Sequence, residues 1–261
     1  MAVILCQKEA TFPYYYERLD ISIYSLEELC YAVGKYPLLI PEHFVDHRLL
    51  EWVSTGLNRP MLSEKLKQLK DMGEREERLL FRLLRECSYF TERELEDFSL
   101  ELRRIQALSE PERKERMGDS FFSLKKYRKA LDAYQDAYHL EENGRRLRKI
   151  AESYLYLKQF QRAGDAFAKL YKKNQDKAAL RRLYFLSQIT FPKDRYKELW
   201  QGVEEDLVRE WQAEWEEVLE EADQAEGILE LKNAYNEGEE AFFQEAEKKL
   251  EAWKEEIRGR A

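Results

Sequence analysis

His43 and His47 stand four residues apart, a spacing that on a helix puts both imidazoles on one face, with Glu42 and Asp46 beside them. Two imidazoles and a carboxylate are a donor set for a transition metal. Phe44, however, follows the first histidine where a zinc protease carries its glutamate, so the pair reads as structural or surface and no metal is assigned. His139 stands alone near a helix end, where a partial positive charge suits the helix dipole. Cys6, Cys30 and Cys87 are an odd set with no close pair along the chain, and they match neither a disulfide framework nor a zinc site. Cys30 falls on an apolar helical stripe and reads as buried and inert. The chain carries no glycine-rich phosphate loop and no G-x-S-x-G elbow. No catalytic residue and no cofactor follow from these residues, and the chain reads as a non-enzyme.

The bulk composition agrees with a folded helical protein. The 261 residues suit one large domain or two smaller ones. Charged residues make up 37%, but aromatics at 13% are too frequent for disorder. Only six prolines and ten glycines interrupt the chain, so long helices with short connections are expected. A net charge of -8 opposes binding to nucleic acid or to an anionic membrane. The N-terminal MAVILCQKEATF has no basic leader and only a short apolar run, and no stretch approaches the ~18 apolar residues of a membrane span. Reduced thiols and a cytoplasmic location are the expectation.

The elements that must position these residues change character along the chain. Within residues 1–24, Val3 to Cys6 and Ile21 to Tyr24 are β-branched or aromatic and read as strands or extended segments. Tyr14, Tyr15 and Tyr16 follow Pro13, and their rings are expected to pack on the helices that follow; the other reading is a surface for a ligand or peptide. Ser25-Leu26-Glu27-Glu28 is a capping box opening a helix with Leu26, Leu29, Cys30 and Val33 on one face and Gly34 as its stop. Further helices are expected over 42–54, 60–72 and 74–87, and from a second capping box at Thr91 to about 108. Residues 1–108 thus form a first, mostly helical domain. A third capping box at Ser109 opens paired helices: 111–124 with 127–140, 144–157 with 159–173, and a degenerate pair of 177–190 with 193–209 that Pro192 breaks. Beyond 203 the chain is acidic, yet Leu207, Trp211, Trp215, Val218 and Leu219 recur at helical spacing. Residues 210–261 are therefore read as acidic helices that cap the array.

The pairs repeat. Arg116–Tyr138 aligns with Lys149–Tyr171 at an offset of 33 residues, matching Gly118 with Ala151, Phe121 with Tyr154, Tyr127 with Phe160, Ala130 with Ala163 and Tyr134 with Phe167. Such a period marks a helical solenoid, whose small residues allow close helix approach. Segment 111–176, extended to 209 if the degenerate pair counts, resembles the tetratricopeptide repeat (TPR) family. The family's small, large, alanine, aromatic and alanine positions fall on Gly118, Phe121, Ala130, Tyr134 and Ala137, then on Ala151, Tyr154, Ala163, Phe167 and the departing Leu170. Its leading tryptophan is replaced by Lys114 and Leu147, and its helix-ending proline by Glu142 and Gln175.

The resemblance implies an all-α chain: a helical bundle, then a short right-handed solenoid (109–209) with a groove lined by the first helix of each pair. It places Glu112, Glu115, Asp119, Phe122, Arg145, Arg148, Glu152 and Leu155 in that groove. Carboxylates at Glu115 and Asp119 stand where one subclass grips a chaperone's terminal carboxylate with lysine and asparagine, so that ligand is excluded. Arg145, Arg146, Arg148, Lys149, Arg181 and Arg182 form a basic cluster that is either a solvated face or a contact for an acidic segment. The function expected is a scaffold or adaptor that takes a peptide or helix of another protein, with the charges setting selectivity. Reversing Arg145 and Arg148 together is expected to weaken binding and leave the fold intact. The rival reading makes the N-terminal domain a sensor or enzyme module, with the repeats as its docking element.

Overall fold

A computed structural model describes residues 9–87, 89–190, 195–200 and 203–260. Among the described residues the fold is all-α apart from one small two-stranded sheet, and the chain divides into two compact units, Met1–Ser109 and Glu110–Ala261.

In the first unit β1 (Tyr14–Tyr16) pairs antiparallel with β2 (Ile21–Ile23), Tyr14 opposite Ile23 and Tyr16 opposite Ile21. Strand alternation sends Tyr14 and Tyr16 inward and leaves Tyr15 exposed. Tyr16 packs 5.6 Å from Phe44 and its hydroxyl donates to the Leu39 carbonyl at 3.1 Å, while Tyr14 lies 5.6 Å from Trp52. The expected strand at Val3 to Cys6 lies outside the described residues.

Five helices complete this unit: α1 (Leu26–Lys35), α2 (His47–Glu51), α3 (Pro60–Asp71), α4 (Glu76–Arg85) and α5 (Glu92–Gln106). The Ser25 hydroxyl caps α1 by accepting from the Glu28 N–H at 3.1 Å, but the Glu28 carboxylate accepts from Tyr24 rather than from Ser25 itself. Gly34 does not stop α1. A Cβ there would sit 2.7 Å from the Phe90 ring, so glycine is required for that ring to approach. Thr91 and Glu94 form a reciprocal capping box at α5.

The helix expected over 42–54 forms differently. Asp46 caps α2, accepting from the Leu49 N–H at 2.8 Å, so Glu42, His43 and Phe44 precede the helix. His43 and His47 therefore do not share a helical face. α2 runs on into one π turn, Trp52–Gly56, closed by the Leu57 N–H on the Trp52 carbonyl. Leu29, Val33, Leu49, Trp52, Leu66, Leu79 and Leu83 build the core from every helix but α5, which adds Leu95 and Phe98.

The second unit opens with two hairpins, α6 (Glu110–Ser123) with α7 (Tyr127–Leu140) and α8 (Gly144–Tyr156) with α9 (Phe160–Asn174). Their turns are superimposable in detail. Lys125 and Lys158 take left-handed φ values of 60° and 58°. The Lys126 N–H donates to the Phe121 carbonyl and the Gln159 N–H to the Tyr154 carbonyl, both at 2.9 Å. These are helix C-caps of the left-handed type. Ala130 and Ala163 are both fully buried where the helices of each hairpin cross. In the first hairpin Gly118 faces Tyr134 so closely that a Cβ would fall 2.4 Å from the ring; in the second, Ala151 and Phe167, at the same repeat positions, are both fully buried.

α10 (Lys177–Thr190) packs on α9, but its partner is not the long helix expected over 193–209. Instead α11 (Lys197–Trp200) is a single turn and α12 (Glu205–Asp223) begins afresh, so the boundary expected at 209/210 falls inside α12. Pro192 lies outside the described residues. Tyr184 holds the repeat position of Gly118 and Ala151, and Trp200 and Trp211 pack on its ring at 6.0 and 5.7 Å. α12 covers α10, with Trp211 buried. The last two helices, α13 (Glu226–Glu237) and α14 (Glu239–Arg260), pair chiefly with each other.

Candidate interaction surface

The residues expected in a groove lie on α6 and α8, and the structure gives most of them partners within the chain. Glu115 is 1% exposed. Its carboxylate accepts from Arg145 at 2.9 Å and from Arg146 at 3.0 Å, and Lys149 lies 2.9 Å away. Arg146 is itself 2% exposed and also donates to the Glu141 carbonyl at 2.7 Å. Asp119 accepts from Lys149 at 2.6 Å and from the Tyr134 hydroxyl at 2.8 Å. Glu152 pairs with Arg182, and Arg148 with Asp176.

These contacts form a ladder between successive first helices. Asp119 on α6 and Lys149 on α8 are 30 residues apart, as are Glu152 on α8 and Arg182 on α10. Each cation also lies over the ring at its own step: Lys149 is 5.4 Å from the Tyr134 centroid and Arg182 is 5.6 Å from that of Phe167. The ladder continues to α12, where Arg181 donates to Glu214 at 3.1 Å and Phe185 stacks on Trp215 at 6.2 Å.

Titration follows from this packing. Burial works to raise the Glu115 pKa, but hydrogen bonds from Arg145 and Lys149 outweigh it and hold the carboxyl below its usual range. Burial also opposes ionisation of Asp176, and Arg148 with the Ala178 and Ala179 amides again pulls it low. Tyr134 is pushed upward by burial and by its bond to Asp119. An Arg145 and Arg148 double reversal would set a new carboxylate against buried Glu115 and another against Asp176. It would therefore disturb the fold, contrary to the expectation from sequence.

Apolar side chains also stay open on these helices, beside the exposed Arg116, Arg145 and Arg148. Phe122 is half-buried and meets Tyr127 and Tyr156 at 5.1 Å each, and Leu155 is half-buried. Tyr156 is 47% exposed, and Ile189, one repeat later on α10, is 58% exposed. Sequence reasoning passed over Tyr156 and set Ile189 with Leu180, Leu183 and Leu186 on the apolar face of its helix, where the three leucines are buried and Ile189 is not. It also grouped Arg146 and Lys149 with surface charge, where their partners are the chain's own acids.

In the first unit His43 and His47 are exposed, each within reach of one carboxylate, Glu76 and Glu51. Among the described residues no three histidine, cysteine or acidic side chains come together to hold a metal ion. Cys30 and Cys87 are both buried, and a hydrogen bond between their thiols, reinforced by burial, raises the Cys30 pKa. Among the described residues no helix is long and apolar enough to cross a membrane.

The chain matches no family model, no curated protein and no solved structure. The resemblance to the TPR family therefore rests on the residues quoted above and on the matching hairpin turns.

Proposed function

We propose that the chain is a non-enzymatic interaction scaffold whose TPR-like segment receives a peptide or helix of another protein along α6, α8 and α10. One observation carries this reading: Glu115, Asp119 and Lys149, and Glu152 with Arg182, pair between those helices, while Tyr156 and Ile189, one repeat apart, are exposed and Phe122 and Leu155 half-buried. Recognition would then be chiefly apolar. Arg145, whose side chain is 70% exposed, and Arg148 would stand at the rim and steer an acidic flank of the ligand. Glu115, Asp119 and Glu152 become the residues that hold the helices in register. A cytoplasmic setting suits the reduced cysteines.

The test is selection from a random peptide library by the full chain and by a Tyr156→Ser, Ile189→Ser variant. The wild type is expected to select a consensus with apolar anchors that the variant loses while melting at the same temperature. An unchanged consensus in the variant would remove this surface from consideration. A stoichiometric metal in the purified protein, or a strong thermal shift with a small molecule, would favour the rival reading of the first unit.

A further inference from the structure

The α13–α14 hairpin has an oddity that the repeat surface does not explain. No residue of α13 is buried, and none of α14 is buried over Glu239–Glu255. The pair is closed by Ile228, Leu231, Ala234, Ala241, Phe242 and Ala246, all only half-buried, with Lys249 reaching across to Glu230. Two helices with so thin a seam leave apolar side chains in water. Phe243 is 60% exposed, Leu250 49% and Trp253 48%.

Those three are not scattered. Phe243, Leu250 and Trp253 lie seven and three residues apart, the spacing of a coiled-coil seam. The stripe is about 15 Å long at ~1.5 Å per residue, which suits a helix laid alongside it. Glu240, Glu247 and Glu251 border it on the side away from α13, with Lys254 as an interruption. From Val203 to Ala261 the chain carries twenty acidic residues against seven basic ones.

We infer that this stripe is a docking seam for a basic amphipathic helix of another protein, its apolar face on Phe243, Leu250 and Trp253 and its lysines or arginines beside Glu240, Glu247 and Glu251. Charge decides among occupants. A second copy of α14 would bring two acidic rows together, and nucleic acid or an anionic bilayer would meet the same repulsion. A basic helix gains from both the apolar seam and the border. This surface is separate from the Tyr156 row, so either can fail without the other.

The experiment uses the full chain and two fluorescent peptides, a leucine/lysine amphipathic helix and its leucine/glutamate counterpart. Anisotropy titration is expected to show binding of the lysine peptide alone, weakening as salt rises. A Leu250→Ser, Trp253→Ser variant should lose at least ten-fold in affinity. A Val218→Ser, Leu219→Ser variant, altered at exposed positions of α12, should bind as the wild type does, as should the Tyr156→Ser, Ile189→Ser variant. Equal binding of both peptides, or equal loss in the α12 and α14 variants, would overturn the assignment. So would a wild-type dimer in sedimentation that Leu250→Ser, Trp253→Ser dissolves, since the seam would then belong to a second copy.

Discussion

Replacing Glu115 by glutamine should cost far more than its place on a charged helix face suggests. The carboxylate is 1% exposed and serves Arg146, which is 2% exposed. Breaking a buried ion pair costs ~3–5 kcal/mol when the remaining charge is left uncompensated, but Arg146 keeps the Glu141 carboxylate at 3.0 Å and the Glu141 carbonyl at 2.7 Å. Glutamine keeps the shape and one acceptor oxygen, and Lys149 can still turn to Asp119. The lower end, about 3 kcal/mol, is therefore expected, which for a domain of this size lowers Tm by roughly 6–12 °C. The neighbours separate buried from surface electrostatics. Arg146→Ala should cost about 3 kcal/mol, because it removes the one buried cation from Glu115 while Arg145 and Lys149 stay on the carboxylate. Arg145→Ala should cost under ~1 kcal/mol, because its side chain is 70% exposed. The pH dependence has a definite sign. Glu115 ionises more readily folded than unfolded, so its contribution is complete above its ordinary value of 4.5 and is lost as pH falls through the lower folded value. Wild type and Glu115→Gln should thus differ most near neutrality and converge in acid. Far-UV circular dichroism melts of the full chain across that range are the assay. Equal effects of Arg145→Ala and Arg146→Ala, or a Glu115→Gln variant that melts with the wild type at neutral pH, would refute the reasoning.

Three further outcomes are expected. Gly118→Ala brings a methyl to 2.4 Å from the Tyr134 ring, so overpacking of ~1–3 kcal/mol should cancel or exceed the ~1 kcal/mol gain in helix propensity; in denaturant melts it should not stabilise, and Gly118→Leu should be severely destabilising. Thr91→Ala removes the hydroxyl that accepts from the Glu94 N–H, leaving the Thr91 backbone N–H on the Glu94 carboxylate, and should cost about 1 kcal/mol, read as earlier urea unfolding of the first unit. Burial of Tyr14 and the nearby Asp46 charge push its phenol up to about 12. Its stabilising share is intact below pH 10 and is lost as pH rises through about 12, so Tyr14→Phe should flatten part of the alkaline loss of stability between those values.

What could be read along the chain was whatever depends on near neighbours. The bounds of α7 and α10 agree with the apolar spacing to the residue, and the Thr91 box forms as its residues imply. Local rules failed where a distant group intervened. Gly34 looks like a stop until the Phe90 ring is placed against it. His43 and His47 look like one face until Asp46 captures the Leu49 amide and starts the helix late. The ladder was hidden for the same reason: Asp119 and Lys149 meet across 30 residues, and only hairpins stacked side by side bring them together. A departure at the third pair was visible in principle, in the large Tyr184 at a position where two earlier helices carry Gly118 and Ala151.

The central claim is that the paired first helices leave Tyr156 and Ile189 open to another polypeptide. Photo-crosslinking tests it most directly, with benzoyl-phenylalanine placed singly at Tyr156, at Ile189 and at Arg128, an exposed residue of α7, in native-host cells. Adducts to a shared protein from positions 156 and 189, absent from 128, are the predicted result. No adduct at 156 or 189, or the same adducts at all three positions, would contradict it.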